Sequence, residues 1–173
     1  MQRQDLARTI TSRSLLHGEF LLRSGATSSE YFDKYMFESD PTLLRAIAEA
    51  MAPLVPANLD ALAGLELGGV PLAVMLSQVT GIPSLFVRKK AKEYGTRRFA
   101  EGGDVAGKRI LVVEDVVTSG GQVVLSTRDL REAGAVVEQA VCVIDRQAGG
   151  ATALAAAGVK LSALFTMTEL KAA

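Results

Sequence analysis

A chain of 173 residues, with 19 lysines and arginines against 19 aspartates and glutamates and with 49% hydrophobic residues, has the make-up of one folded domain. It is neither a disordered chain nor a fibrous one. Zero formal charge excludes a global pull toward nucleic acid or an anionic membrane, so any affinity for anions is local. The single cysteine, Cys142, lies between Val141 and Val143; it has no partner for an internal disulfide and reads as a small buried hydrophobe in a reducing, cytoplasmic setting.

The N-terminus, Met1 to Asp5, carries an acid where a signal peptide needs an apolar run. Asp5 to Arg13 reads as a short amphipathic helix. Glu19 to Arg23 and Glu30 to Phe37 read as two extended pieces around the turn Ser24-Gly25-Ala26. Ser39-Asp40-Pro41 is a helix start, and that helix is expected to run to about Pro53. Ala61 to Leu65 is an apolar run ending at Gly68-Gly69, followed by a helix from Val70 to Thr80 and a strand from Ser84 to Val87. The uncharged stretch Leu67 to Val87 is long enough for a bilayer. Pro71, Ser77, Gln78, Thr80, Gly81 and Pro83 interrupt it, so two buried elements joined by a turn are expected, and no membrane association.

Arg109 to Val113 is a strand ending at Glu114-Asp115, Gly121 to Ala133 a helix, Val136 to Ile144 a strand ending at Asp145-Arg146. Ala151 to Ala157 is a short helix, Lys160 to Phe165 a last strand, Thr168 to Lys171 a final helical turn. Strands that are apolar runs, alternating with helices, predict an α/β fold with a mostly parallel sheet covered on both faces. Residues 1–173 form one domain on this reading, a segment 1–38 preceding a core 39–173. Ligands of such sheets bind at the carboxyl ends of the strands.

Gly102 to Lys108 matches the first seven positions of a nucleotide-binding P-loop. The eighth is Arg109, and the segment precedes a strand instead of following one, so the match fails. No Cys/His cluster suggests a structural metal.

The strongest signal is Arg109 to Gly121, RILVVEDVVTSGG. An apolar strand delivers Glu114 and Asp115 to the sheet edge, and a turn rich in hydroxyls and glycine then opens a helix whose N-terminus favours an anion. Paired carboxylates above an anion site suit a ribose 5-phosphate; the alternative is a simple helix cap beside two solvated acids. Because the acids sit at a strand end on this reading, an Asp115→Asn change is expected to spare folding. A second segment, Arg88-Lys89-Lys90-Ala91-Lys92, then Arg97 and Arg98, looks like a mobile basic clamp for a polyanion. Six basic residues there face only Glu93, and the loop is taken as Lys89 to Gly103.

The first of these segments resembles the PRPP-binding motif of type I phosphoribosyltransferases, and the R-K-x-x-K spacing resembles the catalytic loop of the orotate phosphoribosyltransferases. Gly18 to Gly25 with Tyr31-Phe32 resembles that family's N-terminal segment, Gly64 to Ala73 its pyrophosphate loop, and Asp145-Arg146-Gln147 its D-R-Q. Arg23 replaces a common lysine, Tyr94 stands where many members have histidine, and Gly68 where some have lysine. The lone histidine, His17, reads as a surface or turn residue.

The resemblance implies a type I phosphoribosyltransferase fold with about five strands and a small N-terminal hood; Phe20, Tyr31, Phe32, Tyr35 and Phe37 read either as a small accessory core or as that hood over the base. It implies transfer of ribose 5-phosphate from PRPP to orotate, giving orotidine 5′-monophosphate and pyrophosphate in pyrimidine biosynthesis. Lys92, Glu114 and Asp115 would be the catalytic residues. PRPP would be held by Arg88, Lys89, Lys92 and the run Glu114, Asp115, Val116, Val117, Thr118, Ser119, Gly120, Gly121 and Gln122. Arg23, Thr118 and Arg146 would hold orotate, and Leu67, Gly68 and Gly69 the pyrophosphate. Mg2+ would ride mainly on PRPP, and two copies would form a homodimer sharing the basic loop across the interface, with no nucleic acid involved. A phosphoribosyltransferase for another base and a PRPP-sensing regulator are the competing readings.

Overall fold

The computed structural model describes residues 1–21, 25–90 and 99–173. The first helix, α1 (Arg3–Ser14), leads into an antiparallel pair, β1 (Leu15–Leu21) and β2 (Thr27–Phe32). Then come α2 (Tyr35–Glu38), α3 (Pro41–Met51), β3 (Ala61–Leu65), α4 (Gly69–Thr80), β4 (Ser84–Val87) and β5 (Ala100–Glu101). The second half alternates β6 (Arg109–Val117), α5 (Gly121–Glu132), β7 (Val136–Asp145), α6 (Gly150–Ala156), β8 (Lys160–Thr166) and α7 (Met167–Ala172).

The central sheet runs β5-β4-β3-β6-β7-β8 and is parallel except for β5. Five parallel strands match the expectation. The sixth is a two-residue strand in a stretch assigned to the basic loop, too short to leave a periodic signal. Its pairing with β4, Phe86 to Glu101 and Val87 to Ala100, ties down part of that loop.

Alternation along the strands explains their apolar character. On β6, Leu111 and Val113 enter a layer with α1, α3 and α4, around Ile10, Ile47, Leu72 and Leu76. Ile110 and Val112 enter the opposite layer with α5 and α6, around Val123, Leu130 and Leu154. From Ile110 to Val113 both faces are covered by apolar layers, so neither parity of that stretch accommodates a polar residue. Cys142 is fully buried in the second layer, where burial pushes its thiol pKa up and leaves it unreactive.

The uncharged stretch 67–87 folds as loop, α4, a left-handed Gly81 at φ 76 and β4. Among the described residues no helix is long and apolar enough to cross a membrane. One sequence expectation is corrected here. Tyr35 to Phe37 is helical, because the Asp33 carboxylate accepts from the Tyr35 N–H at 3.1 Å and starts a turn that drives Phe37 into the core. The strand therefore stops at Phe32. Asp40 does act as an N-cap, accepting from Thr42 and Leu43 N–H at 3.0 Å each.

The order of connections places the site. From β3 the chain crosses through α4 to β4 on one side, and from β6 through α5 to β7 on the other. β3 and β6 are neighbours from which the connections diverge, so their carboxyl ends flank the crevice of a topological switch point. The segments after those ends are Glu66 to Gly69 and Thr118 to Gly120.

Candidate active site

At the end of β6 the chain turns through Thr118, Ser119 and Gly120 into α5. Gly120 has φ 77, and a β-carbon there would lie 2.6 Å from Leu154 Cδ1, so both backbone conformation and space demand glycine. Glu114, Val116 to Gly121 and Gln122 line a concavity of about 170 Å³ at this helix N-terminus. Its size and its exposed peptide N–H groups suit a phosphate. The Gln122 side chain donates to Ser126 Oγ at 3.1 Å.

The two acids are not equivalent. β6 does not end at Val113 but continues to Val117, so Glu114 and Asp115 lie within the strand and not beyond it. Glu114 lines the concavity at the α5 N-terminus. Asp115 is 1% exposed and packs with Lys34 and Glu38, which are brought up by α2 and the residue before it. Lys34 Nζ stands 2.5 Å from Asp115 Oδ2. The expectation that Asp115→Asn spares folding is corrected, because Asp115 is a buried ion-pair partner.

Gly68 closes this pocket from the loop after β3. A β-carbon on Gly68 would lie 1.7 Å from Asp115 Oδ2 and 2.7 Å from Glu38 Oε1. Next to it, a β-carbon on Gly69 would lie 2.3 Å from the Val113 carbonyl oxygen. The glycine pair thus lets the loop cross directly over β6. The Glu66–Leu67 peptide in this loop is cis, and Glu66 Oε2 accepts from the Lys89 N–H at 3.0 Å, which joins the loop to the base of the basic segment.

Burial and the neighbouring Asp115 raise the Glu38 pKa to about 9, so Glu38 is a neutral acid that donates to Asp115. Burial, then the charge of Asp115, likewise pushes Glu114 well above the usual carboxylate range. Burial opposes ionisation of Asp115, but hydrogen bonds from Glu114, Glu38 and Lys34 outweigh it and hold Asp115 below that range. Burial also opposes charge on Lys34, and its bond to Asp115 outweighs that too, raising its pKa. The ensemble is an ammonium, a carboxylate, the protonated Glu38 and a Glu114 whose ionisation burial disfavours. Lys34 and Glu38 escaped the sequence reading; their spacing of four on a helical turn was the available signal, but nothing local shows which acid they face.

Asp145-Arg146-Gln147 forms a pinned turn after β7. Asp145 Oδ1 accepts from Gln147 N–H at 2.8 Å, and Gln147 Oε1 accepts from the Thr168 hydroxyl at 2.6 Å. The Arg146 N–H donates to the Val117 carbonyl at 2.9 Å. Between these fixed neighbours the exposed Arg146 side chain, with Ser28, Glu30, Phe32 and Lys171, lines a cavity of about 470 Å³ between the β1–β2 pair and α7. The aromatic cluster divides: Phe37 is buried in the core, Phe32 packs against it, and Phe20 and Tyr31 stack at 5.5 Å on the hairpin. His17 lies exposed on β1, 3.8 Å from Glu30. Arg88 pairs with Glu101 at 3.4 Å, which corrects the expectation that Glu93 alone faces the basic residues. Arg23, Lys92, Glu93, Tyr94, Arg97 and Arg98 lie outside the described residues.

Comparison with known proteins agrees with this geometry. The phosphoribosyl transferase domain family matches residues 36–157. The orotate phosphoribosyltransferase of Nocardioides sp. (strain ATCC BAA-499 / JS614) is 54% identical over 168 residues, 97% of this chain and 94% of that one. The chain belongs to the orotate phosphoribosyltransferase family. The structure of the Mycobacterium tuberculosis H37Rv orotate phosphoribosyltransferase in complex with Fe(III) dicitrate superposes with a TM-score of 0.89 at 30% identity, covering 97% of this chain and 98% of that one. The structure of the same enzyme in complex with 5-phospho-alpha-D-ribosyl 1-diphosphate (PRPP) gives 0.84 at 27% identity, covering 98% of each. Membership of this family makes the chain a phosphoribosyltransferase of pyrimidine biosynthesis with a type I phosphoribosyltransferase fold.

Proposed function

We propose that the chain moves ribose 5-phosphate from PRPP to orotate with the following division of labour. The observation that carries this reading is the switch-point crevice, where an acid-bearing strand, a phosphate-sized helix N-terminus and a glycine loop converge. Thr118 to Gln122 hold the 5′-phosphate through backbone N–H groups. Glu114 faces the ribose hydroxyls, and Asp115 behind it contributes the fixed negative charge that favours an oxocarbenium-like transition state. Leu67, Gly68 and Gly69 cradle the pyrophosphate, with Arg88, Lys89 and Lys92 neutralising it as the ring nitrogen of orotate displaces it at C1 with inversion. Arg146, with Arg23 and Thr118, pairs with the orotate carboxylate.

Mg2+ fits as a passenger on PRPP. Asp115 is occupied by Lys34, and burial disfavours charge on Glu114, so the protein offers a poor oxygen cage and the substrate's own phosphates the better one. Bound there, the ion supplies charge neutralisation on the leaving group. Two copies form the working unit: Met36, Leu67 and Val74 are exposed apolar side chains on α2, the glycine loop and α4 that a second copy would cover. The buried free thiol suits a cytoplasmic setting. PRPP-dependent consumption measured across orotate, uracil and purine bases tests the substrate. Turnover with orotate alone is expected; turnover with another base, or with none, would displace this reading.

Arg146→Ala is expected to raise the KM for orotate by about 10- to 100-fold, the worth of a hydrogen bond to a charged group, and the KM for PRPP far less. Equal effects on both in steady-state kinetics would move Arg146 out of the base pocket. Loop sharing has its own test. When Lys92→Ala and Asp115→Asn chains, each nearly inactive, are mixed and allowed to exchange, one site of each mixed dimer is intact if Lys92 serves its partner, and activity returns. Continued inactivity with exchange demonstrated would place Lys92 in its own subunit's site.

A further inference from the structure

We propose that Lys34 and Glu38 are positioning residues of the phosphoribosyl-transfer site, which lock the Asp115 carboxylate between the Lys34 ammonium and the Glu38 carboxyl group against the glycine loop. The inference rests on the assignment of Asp115 to that site. Three observations converge on one point. Lys34 Nζ contacts Asp115 Oδ2 at 2.5 Å. Glu38 Oε1 and Asp115 Oδ2 both border the spot a side chain at position 68 would fill. Neither of these oxygens has a conventional hydrogen-bond donor apart from the ammonium and the acid proton. Two buried carboxyl groups in contact are stable only if a proton or a cation lies between them; here both are supplied.

The arrangement does what Asp115 cannot do alone. A strand carboxylate that is 1% exposed has no water to fix its orientation or balance its charge. Lys34 keeps 34% of its side chain exposed and so covers the pair from the solvent side. Glu38, 7% exposed, supports it from within. The Oδ1 atom is meanwhile taken by the Val116 N–H. With both oxygens fixed, the negative charge stays in one place whether the crevice is empty or full, as an electrostatic site requires.

The charged groups facing Glu38 are Asp33 and Lys34 from its own segment and Asp115 from β6. Glu114 stands beyond Asp115 and next to Lys34. The packing helices α1 and α3 contribute apolar residues, including Ile10 and Ile47, to the cluster around Phe37. Glu38 is therefore protonated at neutral pH and loses its proton near pH 9. Above that, Asp115 loses a donor and gains a second negative charge beside it.

The test compares Lys34→Met, Lys34→Arg, Glu38→Ala and Glu38→Gln with the wild-type enzyme from pH 7 to 10, with thermal unfolding measured in parallel. Lys34→Met and Glu38→Ala are expected to lower kcat by about 10- to 100-fold, the range for groups that orient another group, with the KM for orotate changed far less. The amide of Glu38→Gln still donates but does not titrate, so this variant is expected to recover most of kcat at pH 7.5 and to lose the fall in kcat above pH 9. Its thermal stability is also expected to fall less between pH 6 and 9. A folded-state pKa raised above the ordinary 4.5 makes Glu38's contribution fade as pH climbs toward 9, and glutamine removes that term. Lys34→Arg keeps the charge and is expected to lie between wild type and Lys34→Met. Wild-type kcat in Lys34→Met and Glu38→Ala, or an unchanged alkaline fall in Glu38→Gln, would overturn the inference. Asp115→Asn run alongside separates the levels: if it inactivates while the Lys34 and Glu38 variants do not, only the positioning role fails, and if it too is active, the role of Asp115 fails with it.

Discussion

Asp115→Asn is expected to lower kcat by about 100-fold or more, the scale of one lost electrostatic stabiliser, and to lower stability as well. Asparagine preserves the shape and removes the charge, leaving the Lys34 ammonium against a neutral amide in a pocket where the residue is 1% exposed. Breaking a fully buried pair costs about 3–5 kcal/mol; the cost is smaller here because Lys34 keeps 34% of its side chain in water. Denaturant titration and steady-state kinetics on the same sample separate the two effects. Turnover unchanged in a folded Asp115→Asn protein would reduce the paired acids to a structural feature of the strand.

Gly68→Ala is the second large effect. The added methyl would sit 1.7 Å from Asp115 Oδ2 and 2.7 Å from Glu38 Oε1, well inside van der Waals contact. Neither acid can swing away, since both are buried, so the loop over β6 must lift and carry Leu67 and Gly69 with it. Activity is expected to fall by about 100-fold or more, as expected when electrostatic preorganisation is lost, together with stability. Gly81→Ala is the matched control. Its φ of 76 makes alanine strained, but a β-carbon there meets nothing within 4 Å, so about 1 kcal/mol of stability and no activity should be lost. If Gly68→Ala remains active and Gly81→Ala does not, the close approach at position 68 has no functional weight.

Local signals carried much of this molecule. Each parallel strand is an apolar run, because the sheet is covered on both faces. Asp40-Pro41 starts a helix where a capping carboxylate and a fixed φ are needed, and Gly81 ends one where only a left-handed residue continues the chain. The acids at 114 and 115, the turn at 118–121 and the Arg146 turn were legible for the same reason: a strand end, a helix start and their chemistry lie within a dozen residues. The expectations that changed had no such local source. β5 is two residues long and exists only because β4 offers it an edge. The turn at Asp33 does have a local carboxylate behind it, but only the closed core shows that Phe37 is the residue it buries.

The division between Glu114 and Asp115 is the clearest case. Adjacent in sequence and hydrogen-bonded to each other, they differ in their surroundings: Glu114 lines the concavity at the α5 N-terminus, and Asp115 is gripped by Lys34 and Glu38. The residue types that the proposed function assigns to a phosphorylated sugar were legible in the sequence. Which acid stays charged, which carries a proton and which glycine must lack a side chain were decided by tertiary structure. Those properties depend on burial and on partners tens of residues away, and no local pattern encodes the distance between two segments that meet only when the sheet closes.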